Sequence, residues 1–421
     1  MSRAAQALVR LPAWRGRALL AGLLLGFASL SARALYLQTV NTQFLQEKGD
    51  ARYSRVLEVP ATRGRILDRT GEALAVSTPV QSIWAIPADV ELPRHAGRQL
   101  AGLLGMSGAE LNRKLAGASR DFVYLKRQIA PQTAQAVERL GLRGIYEQQE
   151  FRRYYPAGEV TAHVIGFTGV DETGQEGVEL AYQDFLAGRS GSRRVIKDRL
   201  GRVVEDVESI RAAQDGRDLT LSIDSKMQSL AYAALRDAVR QHRAKAGALV
   251  GLDVRSGEIL ALVNVPSFNP NNRAKLTGAQ LRNRAITDLF EPGSTLKPFT
   301  IAAALETGRV TPRTPIATAP GRMSLARYTI RDVHPEAVLT VAQVLQKSSN
   351  VGAAKLALGM PAEVMWDLFR RVGFGTAPQL GFPGAAAGKL RNYRSWRPIE
   401  QATMAYGHGI SLSLVQLANT V

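Results

Sequence analysis

Cysteine is absent from this chain. That excludes disulfide frameworks, thiol nucleophiles, iron–sulfur clusters and cysteine-type zinc sites. Histidine is scarce. His95, His163, His242, His334 and His408 are the full set, and no two stand at metal-ligand spacing, so no metal centre is expected. Zinc-finger spacing, an RNP-like aromatic motif and dense basic blocks are also missing, so nucleic acid is not an expected partner. The net charge is nevertheless +18, carried by 54 basic residues of which only 11 are lysine. The arginines are scattered, which reads as a solvated basic surface. What remains is 421 residues, 45% hydrophobic and 21% charged. That is globular composition, with room for about two or three domains.

The N-terminus carries Arg3, Arg10, Arg15 and Arg17 and no acid before Ala18. Ala18 to Ala32 is uncharged and mostly apolar, and extension to Leu37 reaches the ~20 residues needed to span a bilayer. Arg33 would snorkel to the far interface and Tyr36 would sit among headgroups. A cleaved signal peptide shares this layout, with Ala32-Arg33-Ala34 as a faint cleavage site, but an arginine just before the cut argues against it. A buried core helix fits the basic flank poorly. The reading is an anchor over residues 18–38, with residues 1–17 cytoplasmic and the bulk outside.

Asn41 to Tyr53 reads as a polar helix or linker. Arg69 to Glu72 reads as a turn between strands at Arg65–Leu67 and Ala73–Val76. Ala96–Leu104 and Pro131–Leu140 read as helices, Pro131 suiting a first helical position. Arg194–Lys197 and Arg202–Val207 suggest a hairpin about Leu200-Gly201. Asp215-Gly216 is a boundary turn, Leu219–Ser222 a short strand, and Asp224 the cap of a helix reaching about Arg240. Ala246 to Val265 is a hairpin about Arg255-Ser256-Gly257. Helices are expected for most of the rest, interrupted by a Gly/Pro-rich loop over Val372–Gly388.

The chemistry concentrates in Phe290-Glu291-Pro292-Gly293-Ser294-Thr295-Leu296-Lys297-Pro298. Pro292-Gly293 is a turn, and Pro298 suits the first turn of a helix. Ser294 and Lys297 then fall on one helical face. A serine hydroxyl is a weak nucleophile until a base takes its proton. A lysine can be that base when burial lowers its pKa. A Ser-x-x-Lys pair alone arises readily by chance. Lys347-Ser348-Ser349-Asn350 adds a Ser-x-Asn turn, which can aim a hydroxyl and an amide into a cleft. Ser267-Phe268-Asn269 has the same spacing but lies upstream and reads as a plain turn.

With these elements the sequence resembles the penicillin-recognising serine acyltransferases. Residues Arg63 to Glu72, Arg152 to Phe167 and Gly174 to Gly188 resemble the pedestal of class B penicillin-binding proteins. Phe290 to Thr300, Tyr328 to Val333 and Lys347 to Gly352 resemble the division-specific, septal branch. The resemblance implies an α+β protein. Its parts would be a transmembrane helix, an irregular α+β pedestal (dimerisation) domain over 39–215, and a β-lactamase-like transpeptidase domain over 216–421. That domain would hold a mixed antiparallel sheet and helices.

The resemblance also implies the reaction. Ser294 would attack the penultimate D-Ala carbonyl of a stem peptide ending in D-Ala-D-Ala, with Lys297 as base. Ser348 would relay the proton and Asn350 would orient Lys297 or the substrate amide. The Ser294 N–H would supply half of the oxyanion hole. β-Lactams would acylate the same serine. A polytopic septal glycosyltransferase and other division proteins would be partners at the inner membrane. No metal or organic cofactor is implied.

The sequence departs from the family at one point. No Lys-Thr/Ser-Gly element follows Asn350. The expectation is an incomplete copy, from a truncated gene model, a fragment or a degenerate gene. A non-catalytic division scaffold is the rival reading. Elsewhere, Arg63, Arg65, Asp68 and Arg69 read as a buried salt-bridge network rather than a partner surface. Glu176 and Glu179 read as first-turn acids rather than a carboxylate pair. Tyr406-Gly407-His408-Gly409 reads as a loop of unusual backbone angles that could line the cleft.

Overall fold

The computed structural model describes residues 13–39, 54–117, 122–197 and 203–420. The expected linker at 41–53 and the turn at Leu200-Gly201 lie outside the described residues. The N-terminal helix is Ala13–Thr39. Within it, Trp14–Leu37 has a mean hydropathy of 1.8, and its apolar stretch is not buried. Twenty-four residues rise about 36 Å, more than the ~30 Å of a hydrocarbon core. Arg33 folds back over the Tyr36 ring.

The spine of the pedestal is the strand Ala73–Ala85. It pairs antiparallel with Ile145–Tyr154 along ten residues, with Val123–Ile129 on its other edge and with Ile66–Leu67 at its start. The turn before it closes on Asp68, whose Oδ1 accepts from the Thr70 N–H and hydroxyl and from the Glu72 N–H. The strand runs nine residues past its expected end. Pro79 reads as a strand breaker, but only one neighbouring strand is registered at that position.

The helices Arg94–Leu103 and Pro131–Glu138 form where expected, Pro131 in the first turn. With Gly108–Gly117 they bury Leu100, Leu111 and Val137 against Ile83 and Leu125 as a separate head cluster. Ser54–Val59, Gly191–Lys197 and Val203–Arg211 form a three-stranded sheet containing the expected hairpin.

A buried ion cluster ties the pedestal together. Glu179 is fully buried and bridges two arginines, taking Arg63 Nε on one oxygen and Arg153 Nε on the other, each at 2.6 Å. Arg63 also reaches Gln183 and the Glu179 carbonyl. Glu179 stands in the first turn of the helix Gly177–Ala181, as read, and is also a buried counter-ion. The spacing from Glu176 carried no sign of the two arginines, which are 116 and 26 residues away. The expected network is split. Arg63 and Asp68 are buried, whereas Arg65 and Arg69 lie at the surface, paired with Asp218 and Glu258.

Leu219–Thr220 pairs parallel with Ile66–Leu67, so the chain leaves the pedestal as a strand of its sheet. Asp224 then accepts from the Lys226 and Met227 N–H groups and caps the helix Ser225–Gln241. That helix packs on the hairpin Gly247–Leu252/Ile259–Val265, burying Tyr232 against Val263 and Val265. A helical half follows: Lys297–Glu306, Val341–Gln346, Asn350–Leu358, Ala362–Arg371 and Pro398–Met404. Leu296, Ile301, Val344, Ala353, Phe369 and Met404 fill its core.

The expectation of helix is corrected over 315–340. That stretch holds two small antiparallel pairs, Pro315–Ala317 with Val338–Thr340 and Arg322–Leu325 with Tyr328–Arg331. Strands of three or four residues are too short to show alternation in a sequence.

The pedestal and this region share one apolar cluster. Ile66, Leu74, Ile165 and Leu186 pack with Ile223, Leu262, Ile286 and Val415. Polar contacts reinforce the junction. Asn271 both accepts from the Tyr155 N–H and donates to the Tyr155 carbonyl, and Arg273 donates to the Thr168 carbonyl.

Candidate active site

Gly293–Leu296 forms a single tight turn that runs into the helix Lys297–Glu306, with Pro298 in its first turn. Gly293 has φ +60°, a left-handed conformation that glycine adopts without penalty. One turn of spacing brings Lys297 Nζ to 3.1 Å from Ser294 Oγ. Leu296 and Lys297, at 0% and 1% exposure, fix this segment in the core.

Ser348 approaches from the loop between Val341–Gln346 and Asn350–Leu358. Its hydroxyl lies 3.1 Å from Ser294 Oγ and 2.9 Å from Lys297 Nζ, and its carbonyl accepts from Nζ at 2.5 Å. Ser348 has φ +55°, a conformation that costs a non-glycine residue roughly 1–2 kcal/mol. Three side chains therefore close a triangle of hydrogen bonds.

Burial of the Lys297 amine lowers its pKa, the Asp332 carboxylate opposes that, and the net result is a fall to about 8. Near neutral pH roughly one molecule in ten then carries a neutral amine, against about one in several thousand for a free lysine.

Asn350 stands at the same turn but does not touch Lys297. Its Nδ2 donates to the Arg331 carbonyl at 3.0 Å. The expectation that Asn350 orients Lys297 is corrected: the three N–H directions of the amine are taken by Ser294 Oγ and by the Ser348 carbonyl and hydroxyl. The alternative role, toward a substrate amide, stands as an expectation. The upstream Ser267-Phe268-Asn269 is a turn, with Asn269 Oδ1 accepting from the Asn271 N–H.

Two further groups escaped the sequence reading. Asp332 accepts from the Ser349 hydroxyl at 2.8 Å and from the Val351 N–H at 2.9 Å. Ser349 in turn caps its helix by accepting from Gly352 N–H. Asp332 thus fixes the loop that presents Ser348. Glu291, three residues before Ser294, bonds His408 and Gly409. Gly407 and Gly409 have φ +87° and +86°, as the Gly-His-Gly pattern suggested. His408 is directed to Glu291 and is not part of the triangle.

Comparison with known proteins identifies the family. Residues 247–421 match the penicillin binding protein transpeptidase domain, and residues 58–221 match the penicillin-binding protein dimerisation domain. A Neisseria gonorrhoeae protein described as "Probable peptidoglycan D,D-transpeptidase PenA" is 46% identical over 396 residues, covering 93% of this chain and 68% of that protein. The Escherichia coli K12 peptidoglycan D,D-transpeptidase FtsI is 43% identical over 414 residues, covering 96% of this chain and 69% of its own. The Helicobacter pylori penicillin-binding protein PBP2, solved in complex with MreC, shares the fold. Its TM-score is 0.72 at 21% identity, over 86% of this chain and 75% of that one. The chain belongs to the division-type class B penicillin-binding proteins.

Proposed function

We infer that this protein is a peptidoglycan D,D-transpeptidase that cross-links stem peptides at the division septum through a serine acyl-enzyme. The observation that carries the chemistry is the triangle of Ser294, Lys297 and Ser348. Neutral Lys297 takes the Ser294 proton as Oγ bonds to the penultimate D-Ala carbonyl carbon. Collapse of the tetrahedral intermediate breaks the C–N bond to terminal D-Ala, whose amine receives the proton through the Ser348 hydroxyl. An amine of a neighbouring stem then displaces Ser294, with the proton moving in reverse. Asn350 holds the substrate amide. β-Lactams acylate Ser294 by the same first step.

The apolar helix Trp14–Leu37 is a single-pass inner-membrane anchor with its N-terminus in the cytoplasm and the pedestal and transpeptidase domains, 39–215 and 216–421, in the periplasm. Partners are a polytopic septal glycosyltransferase and other division proteins, which meet the anchor and pedestal. A scaffold that never acylates has no need of a buried lysine held between two serines.

The test is fluorescent-penicillin labelling of membranes containing the full chain, beside Ser294→Ala. A band that labels and disappears in the variant is expected. An unlabelled wild-type band would sink the enzymatic reading of this chain.

A further inference from the structure

The geometry points to Glu291 as a positioning residue for acylation, a strap that ties the 406–409 loop to the turn bearing Ser294. The inference rests on the reading of Ser294 as the nucleophile.

The loop and the turn meet backbone to backbone. A Cβ on Gly407 would lie 2.1 Å from the Gly293 carbonyl oxygen and 2.3 Å from its nitrogen. No side chain can enter between them, so their relative position is set by what binds them at the edges. The direct bond, from Gly293 N–H to the Gly407 carbonyl, is long at 3.3 Å. Glu291 supplies shorter ones. Its Oε1 accepts from the Gly409 N–H at 2.8 Å, and its Oε2 meets His408 Nδ1 at 2.9 Å. On the far side, Thr300 of the Ser294 helix donates to the Ala405 carbonyl at 2.9 Å. The loop is thus held at both ends, by the residue three before Ser294 and by the residue six after it.

The Gly409 N–H and the His408 ring hold the Glu291 carboxyl below its ordinary range. It is therefore the ionised form, an acceptor only, that makes these bonds.

The exposure of the strap separates its roles. The side chains of Glu291 and His408 are 52% and 57% exposed, and ion pairs in such positions add little to global stability. A reacting group displaced by about 1 Å, in contrast, costs ~10²-fold in rate. Loss of the strap should therefore slow acylation without melting the protein.

The experiment uses the purified full chain in detergent and a fluorescent penicillin, with Glu291→Ala and Glu291→Gln. Stopped-flow traces give the non-covalent Kd and the acylation rate constant separately. Glu291→Ala should lose ~10-fold or more in the rate constant, with Kd and melting temperature unchanged. Glu291→Gln keeps an acceptor for the Gly409 N–H and should recover most of the rate. Wild-type rates in Glu291→Ala would overturn the proposal. A weakened Kd at an unchanged rate constant would also overturn it, making Glu291 a ligand contact. So would equal losses in both variants accompanied by a lower melting temperature.

Hydrogen exchange tests the strap without any reaction. Amides of residues 291–297 and 405–411 should exchange faster together in Glu291→Ala, and unchanged exchange would overturn the strap. A wild-type chain that takes no label counts against the transpeptidase reading alone.

Discussion

The protein buries cations in two places and treats them in opposite ways. In the pedestal, Arg63 and Arg153 are 3% and 6% exposed and share the fully buried Glu179 carboxylate. In the catalytic region, Lys297 is equally buried, but its hydrogen-bond partners are hydroxyls and a carbonyl, with Asp332 acting only as a more distant charge. Pairing keeps a buried cation charged and makes it structural. Burial without a bonded carboxylate disfavours the charge and suits the amine to the base role proposed for it. The same desolvation yields a clamp in one region and a reagent in the other. Even the clamp is imperfect, because Arg153 Nη2 is buried without a hydrogen-bond partner.

Exchanging the two situations should give opposite phenotypes. Lys297→Met removes the proposed base and should cost ~10²–10⁴ in the acylation rate, with stability within about 1–2 kcal/mol of wild type because the lost hydrogen bonds of the amine are offset by no longer burying its charge. Rate and denaturation curves on one preparation check both halves. Glu179→Gln leaves two buried guanidiniums without their bonded carboxylate, with only the more distant Glu172 charge nearby, and should cost about 3–5 kcal/mol in urea unfolding. In whatever fraction remains folded, the acylation rate constant should hold. A stable Glu179→Gln protein would mean that the pedestal charges are not what the comparison takes them for.

The pH profile sharpens the comparison further. Only neutral Lys297 accepts a proton, so acylation should rise about tenfold per unit below pH 8 and level off above it. The stability sign follows from the same lowered pKa. Between about 8 and 10.5 the folded state holds fewer protons on Lys297 than the unfolded state, so its contribution to stability rises with pH there. A rate that is flat from pH 6 to 9 would remove Lys297 from the base role. The smallest effect concerns the backbone. Ser348→Gly relieves the left-handed strain and should gain about 1 kcal/mol, whereas Ser348→Ala should gain nothing. Both should slow acylation, since both lose the hydroxyl.

What could be read from the sequence followed the distance over which each contact acts. Ser294 and Lys297 meet within one helical turn, so their spacing foretold the contact but not its chemistry. The hairpin at Gly247–Val265, the Asp224 cap and the Pro131 helix start are likewise local. Ser348 reaches Lys297 across 51 residues, and only the resemblance linked them. Asp332 and Glu291 stayed hidden because their partners lie 17–19 and 117–118 residues away, and a lone acid carries no mark of its partner. The arginine partners of Glu179 stayed hidden for the same reason. For Asn350 two roles stood open, because spacing places a side chain at a turn without saying which acceptor it will find; its Nδ2 bonds the Arg331 carbonyl.

The cluster formed by Ile66, Leu74 and Leu186 with Leu262, Ile286 and Val415 bears on how such genes can recombine. A crossover near Asp215 would join halves from two lineages through the middle of a single core, and every packing mismatch would be felt at once. The head cluster around Ile83, Leu100 and Leu125 is separate. A cassette between residues 86 and 144 could therefore be exchanged and leave that core whole. The base of the pedestal and the catalytic region would be inherited together, while the head is free to diverge with its surroundings.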